Sequence, residues 1–136
     1  MENVLEAPTS HAESGSKALV WTGRIISVLV VAFLLLDAAM KLAMIAPVIE
    51  GSTRLGFAVA TIRPMGAVLL AATLLYAVPR TAMLGALLVT AYLGGATATM
   101  VRAGESFWFP VAVGIMAWAG LLLRQPRLRA LVLPSS

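Results

Sequence analysis

The sequence predicts an all-α integral membrane protein, an antiparallel four-helix bundle with a short interfacial helix between the first two spans. The chain has 136 residues, of which 60% are hydrophobic and only 12% are charged, and its mean hydropathy is +0.94. A soluble domain carries roughly 25% charged residues, so this chain has more apolar surface than a soluble fold of its length can bury. The apolar residues form four long runs. In lipid such runs must be helical, because unpaired backbone groups are costly there.

The first 18 residues differ from the rest of the chain. They are polar and include Pro8, Gly15 and several serines, a composition that favours disorder over a packed core. The stretch that follows is too long for the apolar region of a secretory signal, and no small-residue cleavage site ends it. We therefore predict a disordered cytoplasmic tail over residues 1–18 and a four-helix transmembrane domain over residues 19–133.

The four apolar runs define the predicted spans. A helix needs about 20 residues to cross the hydrocarbon core of a membrane, and about 17 are tolerated. The second run is short unless it begins near Ala58 and bends at Arg63-Pro64, because proline disfavours helical backbone at the residue before it. The predicted spans cover residues 19–45, 64–78, 82–101 and 107–123.

The connections between the spans predict how the helices are arranged. The sequences VPRT (78–81) and RAGES (102–106) are short turns, and helices joined by short turns are antiparallel neighbours. The connection 46–63 is longer and contains an apolar stretch over residues 55–62. We predict that it includes a short helix at the membrane interface.

The distribution of basic residues predicts the orientation in the membrane, because cytoplasmic segments are enriched in Lys and Arg. The side that holds both termini contains the cluster RQPRLR (124–129) together with Lys17, Arg24 and Arg80. The other side contains Lys41, Arg54, Arg63 and Arg102. We therefore predict a multi-pass protein of the cell inner membrane with both termini in the cytoplasm. The aromatic residues expected near the interfaces are Trp21, Tyr76 and Trp108.

Two charged residues interrupt the first span. Asp37 and Lys41 are four residues apart, so they share one helix face. Lys41 can extend its side chain to the outer boundary, whereas Asp37 lies deeper, where a bare carboxylate costs at least about 2.5 kcal/mol. Three more charged residues, Arg63, Arg102 and Glu105, lie near the same boundary under the predicted topology. We predict that the five side chains form one network between the helices, open to the outer face.

The third span carries polar residues on the same stripe as small ones. The residues that recur at intervals of three and four are Gly85, Leu88, Tyr92, Gly95, Thr99 and Arg102. Small residues in such a stripe let a neighbouring helix approach closely. The stripe is therefore predicted to face the bundle and to carry Tyr92, Thr99 and Arg102 inward.

The charge network has two interpretations. It can serve only to lock the helices together, with Asp37 and Lys41 neutralising each other. Alternatively it forms a site, since ionisable residues inside a membrane are functional by default. On the second interpretation we expect a cavity in the outer half of the bundle, between the first three spans, with room left by Gly66 and Gly95. A lipophilic ligand would place an acidic or carbonyl head near Lys41, Arg63 and Arg102.

The composition excludes several classes of function. The chain has no cysteine, which excludes disulfides, thiol redox chemistry and cysteine-ligated iron–sulfur clusters. Its single histidine, His11, lies in the polar tail, which excludes haem held between two buried histidines. We therefore expect no metal site and no covalently bound cofactor. Membrane lipid is the expected partner rather than nucleic acid, because no basic patch with interleaved aromatic residues occurs.

Several segments resemble the DoxX-like family of small bacterial four-helix membrane proteins. The similarity covers about residues 22–131, and it rests on GRIISVLVVAFLLLDAAMKL, IRPMGAVLLAATLLYAVPRTAMLGALLVTAYLGGATATMVRAGE and LLLRQPRLRAL. The shared features include Asp-x-x-x-Lys in the first span (Asp37 and Lys41), Arg-Pro at the start of the second and Arg102 after the third. Family members often carry a histidine shortly before that arginine, and here the position holds Met100. The resemblance therefore implies no acid–base or metal role at this position.

Three functions remain open. The first is a non-catalytic membrane subunit that binds a lipophilic ligand such as a quinone, or docks a partner redox protein, in a redox-related complex. The family name, which comes from a subunit linked to quinol oxidation, implies this role. The second is a small membrane enzyme in which Asp37 and Lys41 transfer protons on a hydrophobic substrate. The third is a transporter subunit with an anion site, which with four short helices would have to form a homo-oligomer.

Overall fold

The computed structural model describes residues 2–132, with side chains described for residue 15 and residues 17–132. In that part of the chain it contains six helices and no strand, which confirms the prediction of an all-helical protein. The helices are α1 (Glu2–Ala43), α2 (Ala46–Arg54), α3 (Val59–Ala77), α4 (Ala82–Arg102), α5 (Trp108–Arg124) and α6 (Pro126–Val132).

Helix α1 begins at Glu2, inside the segment that was predicted to be a tail, and its apolar part begins at Lys17. The side chains of residues 1–14 and 16 lie outside the described part of the chain. The disorder and the cytoplasmic location of the tail therefore stay predictions. Residue 133, the predicted end of the transmembrane domain, also lies outside the described residues.

Three helices are long and apolar enough to cross a membrane: the Lys17–Ala43 part of α1, α3 and α4. Helices α5 and α6 pass the same test only as a pair, and they meet at an angle of 112°. Residues 2–132 thus contain three candidate membrane spans by length and composition, or four if this bent pair is one span. Helix α5 does not pass the test alone because it has 17 residues, which is close to the minimum for a spanning helix.

The helix boundaries follow local sequence signals. Helix α3 begins at Val59, so it takes the longer of the two predicted forms and contains Pro64 in its second turn. Proline has no N–H, so the carbonyl of Ala60 receives no helical hydrogen bond from it. The short helix α2 begins just before Pro47, as proline favours, and ends at Arg54. The apolar stretch 55–62 is therefore a turn followed by the start of α3.

The two predicted short turns are confirmed. Helix α3 ends at Ala77 and α4 begins at Ala82, with residues 78–81 between them. Helix α4 is followed by residues 103–107 and then by α5. In the second turn Gly104 has φ of +75°, a left-handed conformation that glycine adopts without strain.

The four long helices pack in a closed ring. Helix α1 packs against α3 and α5, and α4 packs against the same two helices. Helices α1 and α4 therefore face each other across the centre. The side chains that fill the core between the helices include Val30, Leu34, Ala38, Leu69, Ala72, Ala86, Val89, Ala117 and Leu121.

The buried face of α4 differs from the predicted stripe. It consists of Ala82, Gly85, Ala86, Val89 and Leu93. Leu88, which the stripe placed inward, is 39% exposed, whereas the adjacent Val89 is fully buried. The reason is the close approach of α3: a Cβ atom at Gly85 would lie against the backbone of Tyr76 and Leu75. This contact fixes the rotation of α4 about its axis.

Tyr76 joins three helices at the end of the ring formed by the α3–α4 turn and the end of α5. Its hydroxyl donates a hydrogen bond to the carbonyl of Ala117 at 2.6 Å and lies 3.3 Å from the hydroxyl of Ser27. The Arg124 side chain donates to the carbonyl of Tyr76 at 2.5 Å, and its guanidinium lies 4.6 Å from the centre of the Tyr76 ring. Tyr76 is fully buried and lies one residue before the end of α3, so its ring packs inside the bundle and not on the outer surface. Trp21 and Trp108, in contrast, are 61% and 68% exposed.

Candidate ligand site

A cavity of about 690 Å³ lies between α1 and α4, at the end of the ring near α2. Its walls come from α1, α2, α4, α5, the turn between α2 and α3 and the turn between α4 and α5, whereas α3 contributes only Met65. The large apolar residues of the lining are Phe33, Leu34, Leu55, Phe57, Leu93, Met100, Phe109 and Val113. The volume lies in the range of about 300–1,000 Å³ that small-molecule sites occupy.

The position of the cavity corrects one expectation. The sequence predicted a cavity between the first three spans, with room left by Gly66 and Gly95. A Cβ atom at Gly66 would lie 2.9 Å from Cβ of Lys41 and 3.2 Å from the carbonyl oxygen of Ala38, so Gly66 serves close packing of α3 on α1. A Cβ atom at Gly95 would meet nothing within 4 Å, and Gly95 lines the cavity. The cavity therefore lies between α1 and α4, and not along the contact between α3 and α1.

Asp37 and Lys41 form an ion pair in the cavity wall. The Lys41 Nζ donates hydrogen bonds to both carboxylate oxygens of Asp37, at 2.7 and 2.6 Å. The Lys41 side chain is 12% exposed and that of Asp37 is 26% exposed. One helical turn separates the two residues, which places them on one face of α1. The pair thus carries no net charge, and one N–H of the ammonium group is left over from its bonds to Asp37.

Tyr92 and Thr99 line the cavity from α4. The centre of the Tyr92 ring lies 5.8 Å from the Lys41 Nζ, a distance at which a cation interacts favourably with an aromatic face. Thr99 donates its hydroxyl proton to the carbonyl of Gly95 at 2.8 Å. The interaction of Tyr92 with Lys41 connects the two helices that face each other across the centre.

Glu105 also lines the cavity, but it pairs with a residue that the sequence did not single out. Its carboxylate lies 3.8 Å from Nε of Arg54, at the end of α2. The side chains are 47% and 74% exposed, and an exposed pair of this kind contributes only about 0–1 kcal/mol. Both residues line the cavity, so the pair places a second set of cancelling charges there.

Arg63 and Arg102 are not brought into the cavity. The Arg63 Nε donates a hydrogen bond to the carbonyl of Leu42 at 3.3 Å, which occupies one of the last carbonyl groups of α1. Arg102 is the exposed last residue of α4, where a cation interacts favourably with the helix dipole. The Arg102 guanidinium lies 3.9 Å from where a Cβ atom of Gly56 would be, between two residues of the lining. Among the described residues, the ion pairs join Asp37 to Lys41 and Glu105 to Arg54, so Arg63 and Arg102 are not joined to the predicted network by an ion pair.

The structure adds residues that the sequence did not indicate. Ser52 is largely buried and lines the cavity from α2 together with Arg54. Phe33 and Phe109 also line it and pack edge to face, with ring centres 5.2 Å apart. The sequence of α2 is amphipathic, so it distinguishes the two faces of this helix. Only the fold of the connection 46–58 over the cavity brings the inward face to α1 and α4.

The lining as a whole is apolar with a few polar groups. Its charged residues are two acids and two bases, and each acid is paired with a base. Tyr92, whose hydroxyl can donate a hydrogen bond, has its ring 5.8 Å from the Lys41 Nζ. Within the described residues, no three His, Cys, Asp or Glu side chains lie close enough together to hold a metal ion. The geometry is thus able to accommodate an uncharged apolar molecule that carries a hydrogen-bond acceptor.

A comparison of the sequence with known families gives one match. The sequence model of the DoxX-like family matches residues 25–120, a range that holds all of α2, α3 and α4 and most of the apolar part of α1 and of α5. No curated protein and no solved structure matches the chain.

Proposed function

The chain belongs to the DoxX-like family, and on that premise we propose that it is a non-catalytic membrane subunit that binds a neutral lipophilic molecule. The observation that carries the proposal is the cavity of about 690 Å³ between α1 and α4. A pocket with apolar walls and a few polar groups is the usual form of a small-molecule site. The apolar helices and the family together make this a membrane protein, so the ligand is expected to arrive from lipid.

The charges of the lining favour an uncharged ligand. Asp37 neutralises Lys41, and Glu105 neutralises Arg54. An anionic head would have to displace Asp37 from Lys41, which would leave that partly buried carboxylate unpaired at a cost of about 2.5 kcal/mol. The acidic head that the sequence also allowed is therefore disfavoured, since the two arginines that would have stabilised it, Arg63 and Arg102, lie outside the cavity.

A ligand with a carbonyl group can accept hydrogen bonds from the donors that remain in the lining. Lys41 retains an N–H beyond those it gives to Asp37, and Tyr92 lies beside it. Quinones are flat apolar molecules with two carbonyl oxygens, and they are the first candidates. With no cysteine and one histidine in the chain, an electron-transfer role would require a partner redox protein, and we include such a partner in the proposal.

The arrangement in the membrane is also part of the proposal. The contacts between α1 and α3 pair their residues in opposite order along the chain: Tyr76 lies beside Ser27, whereas Gly66 lies beside Ala38. This pattern shows that α1 and α3 run antiparallel, which supports an antiparallel four-helix bundle. We place the bundle in a bacterial inner membrane because the chain belongs to the DoxX-like family. Helix α2 would lie at the outer interface, and both termini would lie in the cytoplasm, which the dense basic cluster near the C-terminus supports.

The chain offers a matched pair of variants for testing the cavity. Gly94 and Gly95 are neighbours on α4, and a Cβ atom at either would meet nothing within 4 Å. Only Gly95 lines the cavity. Gly95→Phe should therefore fill part of the cavity, whereas Gly94→Phe should place the same ring on the outer surface of α4.

The measurement is the binding of short-chain benzoquinones and naphthoquinones, and of a long-chain fatty acid, to the purified full-length chain in detergent. We expect saturable quinone binding that weakens at least tenfold in Gly95→Phe and is unchanged in Gly94→Phe, with weaker binding of the fatty acid. Equal effects of the two substitutions would show that the cavity is not the site. Tighter binding of the fatty acid would contradict the neutral-ligand argument.

A further inference from the structure

A second surface, away from the cavity, gathers basic residues at one end of the protein. Three contacts bring them together: the Arg124 side chain bonds the carbonyl of Tyr76, Gln125 donates to the carbonyl of Pro79 at 3.1 Å, and Gly23 lies against the backbone of Arg124. The end of α5, the α3–α4 turn and the start of the apolar part of α1 are therefore adjacent. The basic residues of this end are Lys17, Arg24, Arg80, Arg124, Arg127 and Arg129.

The acidic residues with described side chains lie at the opposite end, near α2. Asp37 pairs with Lys41, Glu105 pairs with Arg54, and Glu50 belongs to α2. The other three acids of the chain, at positions 2, 6 and 13, have side chains outside the described residues. In the described part, the end near α2 holds three acids against four basic residues, whereas the other end holds six basic residues and no acid.

Helix α6 has the orientation and the residues expected of a helix that lies on a membrane surface. It turns by 112° from α5, so when α5 crosses the membrane α6 runs across its surface. Leu128 packs against the core, whereas Leu131 is 83% exposed. Arg127 is exposed one helical turn before Leu131. A short helix that presents both arginine and exposed leucine is typical of the boundary between headgroups and acyl chains.

Trp21 supports the same placement from α1. It is 61% exposed, and the guanidinium of Arg24 lies 5.3 Å from the centre of its ring. Lys17 lies one turn earlier on the same face. Exposed tryptophan beside basic residues marks the level of the lipid headgroups.

We infer that this basic end, with α6 at its centre, binds the headgroups of acidic phospholipids. The inference goes beyond the proposed function, because it concerns another surface and another ligand. The chemistry is a phosphodiester headgroup with net negative charge next to two acyl chains. Each Lys or Arg near an acidic membrane surface strengthens binding about fivefold, so several of them distinguish acidic from zwitterionic lipid.

The test uses the full-length chain in a neutral detergent, and its thermal unfolding is followed while short-chain phosphatidylglycerol is added. The probes for comparison are short-chain phosphatidylcholine and inorganic phosphate at the same concentrations. The double variant Arg127→Gln, Arg129→Gln removes two charges from α6. Its matched control, Arg63→Gln, Arg102→Gln, removes two charges from the opposite end, outside the cavity lining.

For the natural sequence we expect a saturable rise in the unfolding temperature with phosphatidylglycerol and none with phosphatidylcholine or phosphate. The midpoint concentration should rise about thirtyfold in the α6 variant and should stay the same in the control. Equal stabilisation by phosphatidylcholine would show that the acyl chains alone bind, and stabilisation by inorganic phosphate would identify a free-anion site. An equal rise of the midpoint concentration in both double variants would show that the binding depends only on the net charge of the protein. Each of these three results would overturn the inference.

Discussion

The ion pair between Asp37 and Lys41 predicts a specific coupling between two substitutions. Lys41→Met leaves the Asp37 carboxylate in an apolar wall without its partner. A fully buried pair that is broken in this way costs about 3–5 kcal/mol, and an exposed pair about 0–1 kcal/mol. The two side chains are 12% and 26% exposed, so we expect an intermediate loss of about 2.5 kcal/mol. Asp37→Asn should cost about 1 kcal/mol, because the Lys41 ammonium can move toward the membrane surface.

The double variant should cost about 1 kcal/mol, since it leaves no unpaired charge. The cycle then gives a coupling of about 2.5 kcal/mol, or roughly 70-fold in the unfolding equilibrium. The assay is equilibrium unfolding of the four proteins in mixed detergent micelles, followed by circular dichroism. Additive losses would show that the two hydrogen bonds at 2.6 and 2.7 Å do not form.

A control cycle combines Asp37→Asn with Arg102→Gln. The sequence placed both residues in one network, which predicts that their losses are not additive. In the structure Arg102 lies outside the cavity lining, so we expect the losses to add within about 0.5 kcal/mol. A larger coupling would restore the single network and contradict the separation of the two groups.

Two further predictions concern packing and topology. Gly85→Ala should lower the free energy of unfolding by about 1–3 kcal/mol, because its methyl group would meet the backbone of Tyr76, whereas Gly94→Ala on the same helix should be neutral or stabilising by up to about 1 kcal/mol. Equal effects on the unfolding midpoint would refute the close approach of α3 and α4. Because the chain has no cysteine, Thr53→Cys and Ala130→Cys can be labelled singly with an impermeant thiol reagent in intact cells. We expect labelling at Thr53 and protection at Ala130, and the reverse pattern would invert the proposed orientation.

The helices and their limits could be predicted from sequence because they depend on local signals. The length of an apolar run sets a span, and Gly104 and Pro79 mark the turns within a few residues of where they act. The Asp37–Lys41 contact belongs to the same class, since a spacing of four residues brings two side chains together on any helix. Helix α6 was not predicted, and the sequence predicted a short helix within the connection 46–63 without showing that it occupies residues 46–54.

The composition of the site depended on how each helix is rotated about its axis, and only the tertiary structure decided that. In a soluble helix the polar face marks the outside. Here the faces toward lipid and toward the core are both apolar, so the sequence does not distinguish Leu88, which is 39% exposed, from the buried Val89. The rotation of α4 follows instead from the contact of Gly85 with the backbone of α3. That contact leaves Tyr92 in the cavity and Arg102 outside it, because successive side chains on a helix differ by about 100° in direction and a small change of rotation changes which of them meet.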